Sequence, residues 1–576
     1  MFPSLIELKK YSKKDMSNLQ EYRMVLLGDC ATQHLAQAIR GYGYVNKLKI
    51  SLLDTDYDQI IAQVMDLTSE LYQYHADATI LCMCVEKLYE RYCKTAVELR
   101  NQFGKTEYEK IARIWETLRR NQSGKILQFN FPEADDRCFG NFGNKMNISF
   151  IRQLRELNLL LMDGAAQHKD TYIIDISFLQ NLYGRKTLHD EKLYYVAKMP
   201  FSMEVLPAIA HEIVTVASVF RSRFAKCIVL DLDNTLWGGV IGDDGLEGIQ
   251  IGELGLGHAF YSFQLWLKEL SRRGIVLAVC SKNDEEKAKE PFLKHPEMVL
   301  RLDDIAMFVA NWEDKASNIR KIQKTLNLGM DSFVFLDDNP FERNLVKSMI
   351  PEITVPELPE DPAEYVTFLQ EQNLFETINF SEADAERTRQ YREEAQRISM
   401  QENYLSYEEY LNNLKMEGMA KAFDKFHIPR IAQLTQRSNQ FNLRTIRYSE
   451  EQIAEIASNS DYLTLYFTLR DQFGDHGLVS VVIMKREENN YFVDTWLMSC
   501  RVLKRGMEEF VMNCMVLEAG KQGAECLIGE YKKTSKNAMV EHLYEEMGFE
   551  TMPDERFRLR LKDYVPKQVS ILRVES

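Results

Sequence analysis

Two aspartates, one residue apart, follow a short aliphatic run near the middle of the chain. Residues 228–239 read IVLDLDNTLWGG, and the two carboxylates belong to Asp231 and Asp233. A carboxylate at the end of a buried strand is costly unless a cation or hydrogen bonds compensate its charge. A solvated Asp-Asn turn is the simplest structural explanation. The pair therefore indicates chemistry only if other polar groups converge on it.

Three further strand-like runs end in side chains that suit phosphate chemistry. Ser281 ends IVLAVCS, Lys315 opens a helical pattern after IAMFVAN, and Asp337 and Asp338 follow SFVFL. The carboxyl ends of parallel strands share one edge of a sheet, so we expect these groups to converge there. Carboxylates can hold Mg²⁺, while a lysine and a metal ion offset repulsion between a carboxylate and a phosphate. The set predicts phosphoryl transfer.

The elements that must position these groups alternate in short order between residues 225 and 355. Aliphatic strands separated by amphipathic helices predict a doubly wound parallel sheet that is covered on both faces. Asp233 and Ser281 are 48 positions apart, and Lys315 and Asp337 are 22 apart. Those intervals are filled by the predicted helices and strands, so they leave no room for a large cap domain. We expect an open site, suited to a bulky or protein-borne substrate.

The four motifs together resemble those of the haloacid dehalogenase (HAD) superfamily of phosphotransferases. The resemblance implies that Asp231 is the nucleophile that forms an aspartyl-phosphate and that Asp233 is the general acid and base. The implied phosphate-binding group consists of Thr235, Ser281 and Lys315. The implied Mg²⁺ ligands are Asp231, the backbone carbonyl of Asp233, and Asp337, with Asp338 in support.

Longer motifs narrow the resemblance to FkbH-like proteins, or HAD subfamily IIIC, over residues 225–562. The motifs are DLDNTLWGGVIGDDG, CSKND, NWEDKASNIRKI, FLDDNPFERN, NQFNLRTIRY and MSCRVLKRGMEE. Members of this family are similar to enzymes that take a glyceryl unit from 1,3-bisphosphoglycerate, dephosphorylate it and load it onto an acyl carrier protein. The resemblance thus implies a phosphorylated small molecule and an acyl carrier protein as partners.

Three other functions stay open at this point. One is a plain phosphatase of a small phosphorylated metabolite. Another is a GNAT-type acetyltransferase in which the HAD part is only a scaffold, and the third is a non-enzymatic member of a biosynthetic complex. The complete set of aspartates, serine and lysine argues against the last two.

The carboxyl-terminal part has a third composition, with β-type runs followed by a helix and a strand, which predicts an α+β domain. KNAMVEHLYEEMGFE (536–550) resembles the late helix and strand of the GNAT acyltransferase fold. In that fold an asparagine and a tyrosine commonly lie near the thioester, which implies Asn537 and Tyr544. NQFNLRTIRY is either a loop that satisfies its own backbone, the interpretation we favour, or a substrate contact.

The pyrophosphate loop of that fold corresponds to residues 501–506, where Lys504 replaces the first glycine. A side chain there would obstruct the close approach of a pyrophosphate. Arg501, Lys504 and Arg505 either bind the phosphate of a carrier protein or cover a helix end. Cys500 either carries a transient acyl thioester or, as its β-like surroundings favour, is a buried structural thiol.

The amino-terminal stretch LLGDCATQHL resembles the first block of SGNH hydrolases, with Cys30 after Asp29 in place of the serine nucleophile. His189, with Asn130 or Asn144, would complete such a site. A cysteine between a strand and a helix amino terminus can have a lowered pKa. The alternative is a degenerate site with a purely structural role.

The bulk composition bounds these hypotheses. The chain has 576 residues, with 71 Lys and Arg against 86 Asp and Glu, a net charge of −15, and ten cysteines without a CxxC pair. This balance argues against nucleic-acid binding, and we predict no membrane segment, a cytoplasmic location and no disulfides. The predicted parts are an SGNH-like α/β domain (1–222), a capless HAD domain (223–364), a helical linker (365–420) and a GNAT-like α+β domain (421–576).

Overall fold

Three separate β-sheets organise the chain in the computed structural model. The structure describes residues 2–19, 21–122, 124–221, 223–378, 380, 387–401, 404, 406–438, 440–499, 502–534, 537–553 and 555–574. Two of the sheets are parallel and the third is mixed. This organisation confirms the predicted multidomain α/β class.

The amino-terminal sheet is five-stranded and parallel, in the order β2-β1-β3-β4-β5. Its strands are β1 (Glu21–Gly28), β2 (Lys49–Asp54), β3 (Ala78–Cys82), β4 (Lys125–Phe129) and β5 (Thr171–Ile174). Its helices are α1 (Leu5–Tyr11), α2 (Gln33–Val45), α3 (Ile60–Met65), α4 (Glu70–Gln73), α5 (Val85–Lys94), α6 (Phe103–Asn121), α7 (Phe150–Ala166), α8 (Ile176–Tyr183), α9 (Arg185–Leu188), α10 (Glu191–Ala197) and α11 (Leu206–Phe220). Alternate residues of β1 enter two different apolar clusters, because successive side chains of a strand point to opposite faces.

The middle sheet is four-stranded and parallel, in the order β8-β7-β6-β9. Its strands are β6 (Cys227–Leu230), β7 (Val276–Ser281), β8 (Ile305–Ala310) and β9 (Phe333–Leu336). Its helices are α12 (Ile241–Gly248), α13 (Gly257–Arg272), α14 (Glu285–Lys294), α15 (Lys315–Leu326), α16 (Pro340–Met349) and α17 (Tyr365–Gln372). Every residue from 223 to 378 is described, and the intervals between these strands contain helices and short connections but no cap domain.

The connector and the carboxyl-terminal part contain the remaining elements. The connector helices are α18 (Arg387–Gln401) and α19 (Tyr407–Asn413). The later helices are α20 (Ile428–Arg437), α21 (Glu450–Ser458), α22 (Met507–Lys521) and α23 (Leu543–Glu546). The strands are β10 (Met416–Lys421), β11 (Tyr462–Arg470), β12 (Asp475–Glu487), β13 (Asn490–Met498), β14 (Cys526–Gly529), β15 (Glu550–Thr551), β16 (Phe557–Arg560) and β17 (Ile571–Arg573). The sheet order is β15-β16-β14-β13-β12-β11-β10-β17.

Both ends of the predicted linker, residues 365–420, pack as parts of the neighbouring domains. Tyr365 and Leu369 of α17, at most 2% exposed, belong to the apolar core of the middle domain, so this domain extends beyond residue 364. Their spacing of four residues puts them on one face of the helix. At the other end, β10 pairs with β11 and is part of the third sheet, although it lies before residue 421.

Candidate active site

Three buried charged side chains form the centre of the candidate site. Lys315 Nζ lies 2.6 Å from Asp337 Oδ2 and 3.0 Å from Asp231 Oδ1. None of these residues is more than 7% exposed. Since one ammonium faces two carboxylates, the cluster carries excess negative charge and would be stabilised by a further cation.

Each of these side chains comes from the carboxyl end of a different strand. Asp231 directly follows β6, and Asp337 directly follows the neighbouring strand β9. Lys315 is the first residue of α15, whose amino terminus is capped by Asp314 through a 2.8 Å hydrogen bond from Ser317 N. Because β7 lies between β8 and β6, only a long side chain brings a charge from the β8 loop to Asp231.

The carboxylates can hold a divalent ion. One carboxylate oxygen from each of Asp231, Asp337 and Asp338 lies within 4.8 Å of the other two. Burial and the negative charge of Asp231 raise the pKa of Asp337 to about 7 and also raise the pKa of Asp338. Oxygen ligands in this number are what Mg²⁺ uses, with water and phosphate completing its shell. The residues therefore fit the implied metal, whereas the Asp233 carbonyl remains a predicted ligand.

Asp233 is held by three hydrogen-bond donors. Its Oδ1 accepts from Trp237 Nε1 at 2.9 Å and from Ile241 N at 3.0 Å, and its Oδ2 accepts from Asn283 Nδ2 at 2.8 Å. Burial raises the pKa of this carboxyl despite the three donors. Sequence reasoning assigned no role to Trp237 or Asn283, although both lie within the quoted motifs.

The remaining predicted residues of the middle domain surround this centre. Thr235 is fully buried, and its hydroxyl donates to Asp338 Oδ1 at 3.2 Å while accepting from Asp338 N at 3.1 Å. Ser281 is 2% exposed at the end of β7. A further residue, Arg343, donates to the carbonyls of Asp337 and Asp338 at 2.8 and 2.7 Å and so fixes the loop that carries them.

Arg505 of the carboxyl-terminal part is already paired with a carboxylate of the connector helix. Both oxygens of Glu394 on α18 lie 2.6 Å from Arg505 Nη2, and Arg505 is only 5% exposed. Lys504 adopts a left-handed conformation with φ 62°, and its backbone N–H donates to Glu508. Arg505 is thus already paired with a carboxylate, whereas Lys504 is exposed. Two other expected residues, Cys500 and Arg501, lie outside the described residues.

Asn537 and Tyr544 are both buried and take part in packing. Asn537 Nδ2 donates to the Asn442 carbonyl at 3.0 Å and to the Lys532 carbonyl at 2.9 Å. Tyr544 is 1% exposed and packs against the ring of Phe549 at 4.8 Å. The structure thus commits the Asn537 side chain to holding two segments of backbone.

The NQFNLRTIRY segment forms one isolated antiparallel bridge with β13, between Asn442 and Leu497. Leu443 N donates to the Trp496 carbonyl at 3.3 Å, and Met498 N donates to the Phe441 carbonyl at 3.1 Å. On its other side, Lys532 N donates to the Leu443 carbonyl at 2.8 Å. These hydrogen bonds agree with the favoured interpretation of a loop that satisfies its own backbone, which stays a prediction.

Asp29 and Cys30 of the amino-terminal candidate site are both buried and have partners within the domain. Cys30 Sγ lies 3.7 Å from Cys82 Sγ, and this contact together with burial raises the pKa of the Cys30 thiol well above its usual range. The lowered pKa suggested by its position before a helix is therefore wrong. Asp29 Oδ1 accepts from Cys84 N at 2.8 Å, which is a structural contact.

His189 and the two candidate asparagines have other partners. His189 Nδ1 lies 2.7 Å from the Pro200 carbonyl and 3.2 Å from Glu86 Oε1. Asn130 donates to Asp175 Oδ1 at 2.7 Å. Asn144 Oδ1 accepts from Arg155 at 3.0 Å. The described contacts therefore give these three side chains structural partners.

Comparison with known proteins places the chain in a family. The family described as FkbH, N-terminal domain, matches residues 23–218. The crystal structure of the N-terminal part of BF1531 from Bacteroides fragilis, containing a phosphatase domain complexed with Mg, is 45% identical. That alignment covers 66% of this chain and 100% of that chain, with a TM-score of 0.64. No curated protein matches this chain.

Two acetyltransferase structures align with smaller portions of the chain. The ribosomal-protein-S18-alanine N-acetyltransferase from Escherichia coli is 17% identical over 24% of this chain and 88% of that chain, with a TM-score of 0.19. The spermidine N-acetyltransferase from Vibrio cholerae in complex with CoA and spermine is 12% identical over 26% of this chain and 98% of that chain, with a TM-score of 0.21. At these TM-scores the likenesses support no conclusion about this chain.

The middle domain is of the α/β class. At the carboxyl edge of its parallel sheet, a lysine contacts two carboxylates. The amino-terminal part matches the FkbH family, and the alignment with the Bacteroides fragilis structure covers the whole of that structure. The chain therefore belongs to the FkbH-like family. Among the described residues, we find no helix with both the length and the apolar character that crossing a membrane requires.

Proposed function

We propose that the middle domain is a Mg²⁺-dependent phosphatase or phosphotransferase that acts through an aspartyl-phosphate on Asp231. The observation that carries the proposal is the placement of the Asp231 carboxylate 3.0 Å from Lys315 and within one cluster with Asp337 and Asp338. The related phosphatase domain was crystallised with Mg, which supports the choice of metal. When bound, Mg²⁺ supplies positive charge that reduces repulsion between Asp231 and the phosphoryl group.

The reaction divides into two displacements at phosphorus. A carboxylate oxygen of Asp231 attacks, the bond between phosphorus and the leaving oxygen breaks, and Asp233 gives that oxygen a proton. Asp233 then takes a proton from water, whose oxygen attacks the aspartyl-phosphate. The bond to Asp231 breaks and inorganic phosphate leaves, while Lys315 and Ser281 hold phosphoryl oxygens.

Hydrolysis of an aryl phosphate with Mg²⁺ tests this proposal. We expect wild-type activity to require Mg²⁺ and to fall at least about 1,000-fold in Asp231→Asn, since the amide does not form the covalent intermediate. The exposed Asp331→Asn, at the amino end of β9, is the matched control and should retain activity. Activity that survives in a folded Asp231→Asn variant would exclude Asp231 as the nucleophile.

We further propose that this chemistry is coupled to loading a glyceryl or similar acyl unit onto an acyl carrier protein. Membership of the FkbH-like family supports this assignment, and 1,3-bisphosphoglycerate is the proposed donor. In loading, the carrier thiol attacks the acyl carbon, the bond to the acyl-phosphate oxygen breaks, and a thioester forms as the thiol loses its proton. The remaining phosphate ester is the proposed substrate of the Asp231 site.

Intact mass of the carrier protein distinguishes loading from simple hydrolysis. Full-length protein, Mg²⁺, 1,3-bisphosphoglycerate and a phosphopantetheinylated carrier should yield a glyceryl adduct that hydroxylamine removes. Release of phosphate without an adduct on cognate carriers would favour a plain phosphatase of a small metabolite, which requires only the cluster of Asp231, Lys315 and Asp337. We place the protein in the cytoplasm, where the nine described cysteines, all unpaired, would stay reduced.

A further inference from the structure

The acid/base residue of the proposed reaction is oriented by side chains from two separate loops. Trp237 Nε1 reaches Asp233 from the turn after β6, and Asn283 Nδ2 reaches it from the turn after β7. With Ile241 N, they occupy both carboxylate oxygens. A carboxylate held through both oxygens has one direction in which it can face a substrate.

The two donating side chains are themselves immobilised. Trp237 is fully buried, and its ring meets that of Phe292 edge-on with centroids 5.9 Å apart. Asn283 is 4% exposed and is followed by Asp284, which caps α14 by accepting from Lys287 N. Because both donors are buried, their movement away from Asp233 would disturb the surrounding packing.

We propose that Trp237 and Asn283 are positioning residues that aim the Asp233 carboxyl at the leaving-group oxygen. The proposal rests on the phosphatase function proposed above and adds a role for two residues outside the phosphate and metal contacts. As the bond to phosphorus breaks, its electron pair passes to the leaving oxygen. A strongly basic alkoxide oxygen requires the Asp233 proton, whereas a weakly basic aryl oxide departs with little help.

A change in the direction of Asp233 should therefore appear as a change in leaving-group dependence. We expect Asn283→Ala and Trp237→Phe to lower kcat/KM for glycerol phosphate by about 10- to 100-fold, within the range of general acid catalysis. For an activated aryl phosphate the loss should stay below about threefold, because little proton transfer accompanies its departure. Trp266→Phe, on α13, is the matched control and should leave both substrates unaffected.

A double-mutant cycle separates positioning from a general loss of structure. In an Asp233→Asn background, adding Asn283→Ala should change neither substrate further, because the residue acts only through the Asp233 carboxyl. Equal losses on both substrates, or a second loss in the Asp233→Asn background, would overturn the proposal. Trp237→Phe keeps an aromatic ring at the buried position while removing the indole N–H, so it tests the second donor to Asp233 if Asn283→Ala does not fold.

The same experiments distinguish a failure of the positioning role from a failure of the phosphatase function. Wild-type protein without Mg²⁺-dependent hydrolysis would reject the phosphatase function itself. A normal wild-type rate with no change in leaving-group dependence in either variant would reject only the positioning role.

Discussion

Lys315 neutralises part of the charge that two buried carboxylates bring into the middle domain. Burial alone would lower the pKa of its ammonium, but Asp231 and Asp337 outweigh that effect and raise it. The two carboxylates therefore favour the charged form of the lysine. The same charge that we propose to bind phosphoryl oxygens thus also stabilises the pair of buried carboxylates.

Replacing Lys315 tests that link. In metal-free buffer, Lys315→Met should lower the free energy of unfolding by about 3–5 kcal/mol, because two buried carboxylates lose their partner. MgCl₂ should raise the Tm of the variant more than that of the wild type, since the ion binds only the folded site. Thermal unfolding with EDTA or MgCl₂ measures both effects, with the exposed Lys321→Met as control. Wild-type stability of Lys315→Met in EDTA would contradict this account.

Glu212 on α11 provides a pH-dependent contribution to stability. Burial and repulsion from Glu376 raise the pKa of Glu212 to about 8. The amide of Asn373, which donates a hydrogen bond to Glu212 at 3.0 Å, lowers this pKa but is outweighed. Between the ordinary glutamate pKa of 4.5 and about 8, the folded state holds a proton that the unfolded state has released. The free energy of unfolding therefore falls as pH rises through this window.

Urea unfolding of wild type and Glu212→Gln between pH 4 and pH 9 tests this sign. The variant should gain stability relative to wild type as pH rises from about 4.5, with the difference levelling above about 8. Glu204→Gln, an exposed substitution in the preceding segment, is the control. A difference between Glu212→Gln and wild type that does not vary with pH would show that Glu212 is not the titrating group.

At the scale of elements, the turn after β6 depends on a residue in a left-handed conformation. Asn234 has φ 54°, its side-chain oxygen accepts from Gly239 N at 2.9 Å, and its carbonyl accepts from Tyr365 OH at 3.3 Å. Few residues other than glycine, asparagine and aspartate adopt this conformation readily. The turn thereby links the end of β6 to α17.

Three substitutions at Asn234 separate conformation from hydrogen bonding. Asn234→Asp should change stability least, Asn234→Gly should lose only the side-chain acceptor, and Asn234→Ala should lose the acceptor and strain the backbone. We expect the alanine variant to be about 1–2 kcal/mol less stable than wild type. Chemical denaturation gives the order, and an alanine variant as stable as the aspartate variant would contradict the role of φ.

The elements of the middle domain could be predicted because their sequence signals are local. Asp231, Ser281 and Asp337 lie at the ends of short aliphatic runs, and Lys315 follows an Asp that caps its helix, so position and neighbours suffice. The contacts of Asp233 could not be predicted in this way. They depend on side-chain directions in two loops that meet only when β6 and β7 pair.

The carboxyl-terminal site shows the same limit more clearly. Glu394 and Arg505 are 111 positions apart, and no periodicity in either segment indicates that they meet. Both interpretations of the basic loop stayed open in the sequence, because the carboxylate that pairs with Arg505 lies in a distant segment. The Cys30 thiol gives a parallel case, since its raised pKa depends on Cys82, which only the parallel pairing of β1 and β3 brings close.

At the scale of the whole molecule, α18 joins two domains through different side chains. Tyr391 packs against the apolar core under the middle sheet, and Arg392 donates to Asp303 at 2.6 Å. Further along the same helix, Arg397 is 1% exposed and makes two hydrogen bonds, at 2.6 and 2.8 Å, to the buried carboxylate of Asp471. The helix α18 thus packs against both the middle domain and the carboxyl-terminal domain.

Removing the Arg397 guanidinium should destabilise the carboxyl-terminal domain but not the middle domain. Arg397→Met leaves Asp471 with a smaller set of partners, and we expect a loss of about 3–5 kcal/mol in the stability of that domain. Differential scanning calorimetry should show its transition at lower temperature, while the transition of the middle domain stays unchanged. Arg389→Met, largely exposed on the same helix, is the control. An equal shift of both transitions would indicate a single cooperative unit instead.

The position of α18 also matters for how fragments of this protein behave. β8 is the outer strand of the middle sheet, and α18 packs along it. An uncovered outer strand offers free backbone groups to a strand from another molecule. A fragment that ends before residue 387 would lack this helix, so its self-association should be compared with that of the intact chain.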